Sequence, residues 1–473
     1  MIMSRAFFVL FCLFSLPLAA QEQFWTLEQC IQAAMKNNLA LKQRSLSTQG
    51  AKAELKQNKI ATLPSINASA SNIWNVGFVI NPITNTTERD ATFRNNVFGL
   101  NANMNIFSGF QQSNSVRQQE ANMKAAKYDE EATRNTIALQ VSNAFMQVLM
   151  SDEIRQARAM QVEATRAQLD RQQKFYEVGG LNKAQLLQLK AQLANEEFQL
   201  VIAQTQLDQA YLSLWQSMNV DPNPQYQIEK PITQAESIDS ELQTSTQIYQ
   251  EFLKNSPEIK AAQQRARSAE ISRYVALGSR SPRLSFTAGL NSFFTTQNMR
   301  GAGTPSFVPV PFFVDGNGQV ISRLVPQFPN SEIVPFNDQF NQNLGRNYGF
   351  TLSVPIFNGW QVNTAIERSK IGLMSANLSK KQAEQDLYRD INQAWLDFAT
   401  SRKRYDAARL SYEAGKEAFD VAEAQYQSSA IGVNDYLLSK NTLVQGETNL
   451  LQAKYELFFR RKVLDFYLGK SLY

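Results

Sequence analysis

With 473 residues, a formal charge of +5 and no histidine, the chain can bury a large core. Its small, unclustered basic excess argues against nucleic acid as a partner. The missing histidine removes Ser-His triads, His-ligated metals and the usual general base, so no catalytic, cofactor or metal site is expected.

Residues 1–20 read as a secretory signal peptide: Arg5, an apolar run from Ala6 to Leu16, then Pro17-Leu18-Ala19-Ala20 before Gln21. The run is shorter than the ~20 residues of a bilayer-spanning helix. Cleavage would remove Cys12, leave Cys30 without a disulfide partner and place no cysteine at the new terminus for lipidation.

Thr26 is an N-cap with Glu28 in the first turn, and helical character runs to about Thr62; Pro64, which lacks an amide, stops it. The period then changes to two, predicting strands over 64–74 and 95–107. In the second, Phe98, Leu100, Ala102, Met104 and Ile106 fall on one side, and Gly99, Asn101, Asn103 and Asn105 on the other. A polar connection, 76–94, joins them. A helix over 108–178 follows without a proline, ~105 Å at 1.5 Å per residue. After a turn, the helix over 182–220 carries Leu186, Leu193, Leu200, Leu207 and Leu214 at heptad spacing, a packing seam. Pro222 and Pro224 fall in a linker, 221–244.

In the second half, helices from 245 lead to strands over 282–295 and 346–357, the latter with Tyr348, Phe350 and Leu352 against Gly349, Thr351 and Ser353. The segment 296–345, rich in Gly, Pro, Asn and aromatics, reads as a long loop. Its Phe307, Phe312 and Phe313 have three roles open: plugging a mouth, touching surface partners or packing within the loop. Helices over 358–430 and 434–469 complete the chain. Asp152-Glu153 and Glu196-Glu197 read as solvated helix faces.

Residues 107–214 align without a gap on 357–464, a spacing of 250 (357 less 107) that pairs Phe107-Ser108-Gly109 with Phe357-Asn358-Gly359 and Tyr176 with Tyr426. Earlier, Lys36-Asn37 recurs as Lys254-Asn255 and Pro64 as Pro282, a spacing of 218 (282 less 64). The chain is thus read as two structural halves, 21–220 and 245–473, with extra loop in the second. Strands of ~10 residues match a tilted bilayer crossing. Four cannot close a barrel, and each unpaired amide in lipid costs several kcal/mol. Either the strands form a soluble sandwich, as in a secreted coiled-coil rod with a small β-head, or several chains share one barrel.

These residues resemble the TolC-like outer-membrane factor family over essentially the whole mature chain. The likeness rests on Leu27-Glu28-x-Cys30-Ile31 with Lys36-Asn37-Asn38, Leu63-Pro64-Ser65, the corners Phe107-Ser108-Gly109 and Val354-Pro355-Ile356-Phe357-Asn358-Gly359, and Tyr176-Glu177-Val178-Gly179-Gly180-Leu181, which resembles the family's hairpin tip. It implies an α+β membrane protein. Three protomers would each give four strands to a shared twelve-stranded transmembrane β-barrel, and their duplicated long helices would form an α-barrel. The resemblance further implies a passive, non-enzymatic duct in the cell outer membrane that extends into the periplasm. Its partners would be outer-membrane lipid, a periplasmic adaptor (membrane fusion) protein and an inner-membrane pump, for tripartite efflux or type I secretion. The exported substrate, whether drug, metal or polypeptide, is left open.

Site residues follow position by position. Asn101, Asn103, Asn105, Thr351 and Ser353 would line the barrel lumen, with the apolar faces toward lipid. Val178, Gly179, Gly180 and Leu181, with Ala430, Ile431 and Gly432, would be the hairpin tips that touch the adaptor. Of the family's gate, which is held shut by links among a Tyr, an Arg and Asp residues and lined by rings of Asp, this chain keeps Tyr426 and Asp435. Leu438, Ile431 and Gln185 stand where the second ring acid, the arginine and the tyrosine's carboxylate partner fall. The resemblance therefore implies a neutral Tyr426–Gln185 latch and an Asp435 ring favouring cations. The plain alternative for Asp435 is a helix-start charge.

Overall fold

A computed structural model describes residues 23–80, 87–179, 182–222, 226–230, 243–314, 316, 319–428 and 430–470. The signal-peptide reading, Gly180 and Leu181 lie outside these residues. In chain order the elements are β1 (Gln23–Trp25), α1 (Leu27–Asn37), α2 (Leu39–Ile60), β2 (Ser65–Ile80), β3 (Thr87–Ser108), α3 (Gln111–Glu177) and α4 (Lys183–Met218). Next come β4 (Tyr226–Ile228), α5 (Ser245–Asn255), α6 (Pro257–Gly278), β5 (Arg283–Thr295), β6 (Met299–Ala302), β7 (Ser306–Val314), β8 (Val320–Gln327), β9 (Asn330–Ile333), α7 (Phe336–Gln342), β10 (Gly345–Ser353), α8 (Gln361–Gln427) and α9 (Val433–Tyr467). α3 and α8 begin and end 250 residues apart (361 less 111), and α1 and α5 218 apart (245 less 27). No helix among the described residues is long and apolar enough to cross a membrane.

Two compact units cut across the sequence halves: one holds residues 52–121 and 267–375, the other the remainder. The first unit contains an antiparallel sheet in the order β10-β5-β3-β2. Its register sorts side chains into two faces. Ser65, Asn103, Thr287 and Gly349 form one row, Asn67, Asn101, Gly289 and Asn347 the next, and Ser69, Gly99, Asn291 and Gly345 a third. The alternate rows hold Ile66, Ala102, Ala288 and Tyr348, then Ala68, Leu100, Leu290 and Arg346. That apolar face is bare toward the glycine corners, with Tyr348 83%, Phe350 68% and Ile66 68% exposed, whereas at its other end α7 covers Phe98 and Phe294. β10 and β2 are sheet edges, each paired on one side only among the described residues.

Three sequence expectations change here. The single first helix is two, because Asn38 ends α1 with extended backbone and its carboxamide oxygen then accepts the amides of Ala40 (2.9 Å) and Leu41 (3.2 Å), starting α2. The expected 76–94 connection is mostly strand: Val76 pairs with Thr92 and Ile80 with Thr87. Trp74, Val76, Phe78 and Ile80 keep the period of two that extends the ladder. The expected 296–345 loop holds four strands and α7, with β6 paired to β9 and β7 to β8.

The glycine corners belong to the same unit. Gly109 and Phe110 are both left-handed (φ 62° and 60°), as are Gly359 and Trp360 (60° and 67°). A Cβ on Gly109 would sit 2.4 Å from the Gly278 carbonyl oxygen, so this corner needs glycine for space as well as for φ.

The helical unit has two apolar cores. Cys30 and Ile31 of α1 pack with Val141, Phe145 and Leu149 of α3 and Leu214 of α4. Ile248 and Phe252 of α5 pack with Ile391 and Phe398 of α8 and Leu457 and Leu464 of α9. Leu186, Leu207 and Leu214 of the heptad are buried, while Leu193 and Leu200 are half-buried. Thr26 with Gln29, and Thr244 with Gln247, make matching capping boxes for α1 and α5.

Candidate pore-lining face and hairpin ends

The sheet's polar face brings Asn101, Asn103, Asn105, Thr351 and Ser353 onto one surface. Asn105, Ser285 and Thr351 form a single row, and Ser353 pairs with Arg283. All five are exposed. The Asn291 amide donates to the Asn347 carboxamide oxygen at 3.2 Å. Gly289 makes room for this layer, since a Cβ there would meet the side-chain oxygens of Asn347 at 2.7 Å and Asn101 at 3.0 Å. The face is therefore exposed, hydrogen-bonding and almost free of charge.

At the end of the helical hairpin α3–α4, Val178 is 80% exposed and Gly179 is left-handed (φ 77°), with its amide on the Tyr176 carbonyl. At the α8–α9 end, the Ala430 amide bonds the Gln425 carbonyl at 2.8 Å, Ile431 is half-buried, and Gly432 caps α9 without a side chain. Asp435 is exposed in the first turn of α9, where the helix dipole favours an anion.

Tyr426 and Gln185 share no hydrogen bond within the chain. Instead the Tyr426 ring stacks on Tyr436 at 4.7 Å. Tyr436 is buried, its hydroxyl donating to the Gln168 side-chain oxygen on α3 at 3.0 Å. Burial pushes the Tyr436 hydroxyl up to about 12 and also raises Tyr426, so both stay neutral at physiological pH.

The reading of Glu196-Glu197 as a wet face is half corrected. Glu197 is half-buried and meets Arg166 at 2.6 Å, but Glu196 is 3% exposed and pairs with buried Lys440 of α9 at 3.1 Å. Lys440 also donates to the Thr165 hydroxyl of α3, and Gln192 donates to Glu196 at 2.8 Å. This links α3, α4 and α9. The sequence cue was Glu196's position seven residues after Leu189 and seven before Ala203, both buried. Asp152 and Glu153 are likewise half-buried, joined by Lys230 at 3.0 and 2.8 Å.

The profile of the family described as outer membrane efflux protein matches residues 30–220 and 248–470. The chain belongs to this family. Among solved structures, this outer membrane efflux protein is similar to CusC, with a TM-score of 0.74 and 17% identity over 94% of this chain and 92% of that one. The Campylobacter jejuni CmeC outer membrane channel gives 0.71 and 19% over 93% and 84%. The outer membrane protein VceC of Vibrio cholerae gives 0.72 and 16% over 94% and 97%. These neighbours share its long helices and strands. The outer membrane protein TolC of Escherichia coli is 21% identical over 130 residues, and that of Salmonella enteritidis 20%; each match spans 27% of this chain and 26% of the relative.

Proposed function

We propose that three copies of the chain close their sheets into one twelve-stranded barrel across the outer membrane, polar face inward, and that the helical hairpins form a periplasmic duct. The observation that carries this is the four-stranded sheet with two open edges among the described residues, an apolar face left exposed at Ile66, Tyr348 and Phe350, and an asparagine-lined polar face. Edge pairing between copies satisfies the backbone groups that lipid would strand, and the apolar face then meets acyl chains. A secreted rod would leave that same face in water, which large apolar patches disfavour.

The duct is passive. An adaptor contacts the hairpin tips at Val178–Leu181 and Ala430–Gly432, and an inner-membrane pump supplies energy and selects the substrate, for efflux or type I secretion. Asp435, Tyr426 and Gln185 are the gate residues. Because Tyr426 engages Tyr436 within its own chain, its bond to Gln185 is assigned to neighbouring copies. Purified protein in a planar bilayer is expected to give discrete current steps; electrically silent, correctly folded protein would overturn the reading.

A further inference from the structure

We infer that Arg283 forms, with its two symmetry copies, a ring of fixed positive charge at the inner end of the polar face, and that this ring draws anionic solutes such as carboxylates, phosphates and sulfonates into the barrel. The inference rests on the shared-barrel reading and names a selectivity element within it.

Arg283 pairs with Ser353 and Ser108, in the last row of the sheet, and shares strand parity with Ser285, Thr287, Gly289 and Asn291. Its side chain is therefore on the polar face, and it is exposed. In the rows from Arg283 to Thr295 it is the one charged side chain on that face among the described residues; its companions are Asn, Ser, Thr, Gly and a few apolar groups. Its guanidinium donates to the Gln111 side-chain oxygen at 3.4 Å, and Gln111 is itself held by the Val275 carbonyl (3.1 Å) and the Ser279 hydroxyl (2.5 Å). Arg280, three residues earlier, donates to the Asn363 carboxamide oxygen at 2.7 Å. Among the described residues neither arginine has a carboxylate partner, so the positive charge is uncompensated. Neutral partners hold the guanidinium in place without cancelling its field. Rings of Arg or Lys in narrow pores favour anions by this means.

The charge can be edited in the assembled protein. Cys30, the one described cysteine, is 0% exposed and burial pushes its thiol to about 12, so it does not react with polar thiol reagents. In planar bilayers under a KCl gradient near ~0.1 M, where the Debye length is ~10 Å, Arg283→Cys is expected to lower the chloride-to-potassium permeability ratio by about two- to five-fold. Modification with cationic methanethiosulfonate ethyltrimethylammonium restores the ratio, and the anionic ethylsulfonate reagent lowers it further. Channels that conduct with a ratio indifferent to the substitution and to both reagents overturn the inference and leave the duct reading intact. A wild type without current overturns the duct reading and this inference together. Should Arg283→Cys not assemble, Arg283→Gln removes the charge while keeping a hydrogen-bond donor: a lowered chloride-to-potassium ratio supports the ring, and an unchanged one overturns it.

Discussion

Glu196 and Lys440 show how an individual residue escapes a reading of the sequence. Heptad spacing places both near seams, yet a charge in a seam resembles a charge on a wet face until its partner, on a helix far along the chain, is seen. Losing one member of a buried pair leaves an uncompensated charge, a cost of about 3–5 kcal/mol, whereas replacing both with apolar groups is close to neutral. Lys440→Met is therefore expected to lower stability by about that amount, and Lys440→Met with Glu196→Leu to recover most of it in thermal unfolding. A double variant no better than the single would contradict the pairing. At the proposed gate, Asp435→Asn is expected to raise the chloride-to-potassium permeability ratio in reversal-potential measurements; an unchanged ratio reduces Asp435 to a helix-start charge. Gln185→Ala is expected to raise closed-state conductance, because a neutral hydrogen bond contributes only about 1 kcal/mol net and its loss leaves little else at that contact. No rise means Gln185 is not part of the latch.

Among elements, the sheet strands were legible wherever alternation was clean, as from Phe98 to Ile106, and the long helices because nothing in 108–178 interrupts them. The insert 296–345 was not legible. Its Pro309 and Pro311 suggest a loop, yet both sit in β7 opposite Leu324 and Ser322, a place proline can occupy where its missing amide faces a free edge. α7 was missed because its anchor is tertiary. Gln339 is fully buried, accepting from the Thr295 amide (3.0 Å) and donating to the carbonyls of Thr295 (2.9 Å) and Val334 (2.8 Å). Phe336 and Phe340 pack edge-on against Phe98. Gln339→Ala strands those backbone groups at about 1–3 kcal/mol. Hydrogen exchange is expected to accelerate across β6, β9 and α7 while β3 and β5 stay protected; unchanged exchange there would show that α7 is held by its aromatics alone.

At the scale of the whole molecule, two constant spacings led the sequence to be read as two halves, and the helices α1 and α5, α2 and α6, and α3 and α8 keep those spacings, while the paired strands differ in length. What the spacing did not convey is that the compact units take segments from both halves, because each half contributes strands to one unit and hairpins to the other. A single chain ends with two unpaired strand edges and exposed Tyr348, Phe350 and Ile66, a surface that is stable in lipid only once the edges are closed by further copies. The most direct test is the mass of the conducting species, by native mass spectrometry of protein released from detergent micelles that also yields current steps. The account predicts three chains per particle; a monomer that conducts, or a monomer as the sole membrane-embedded form, would contradict it.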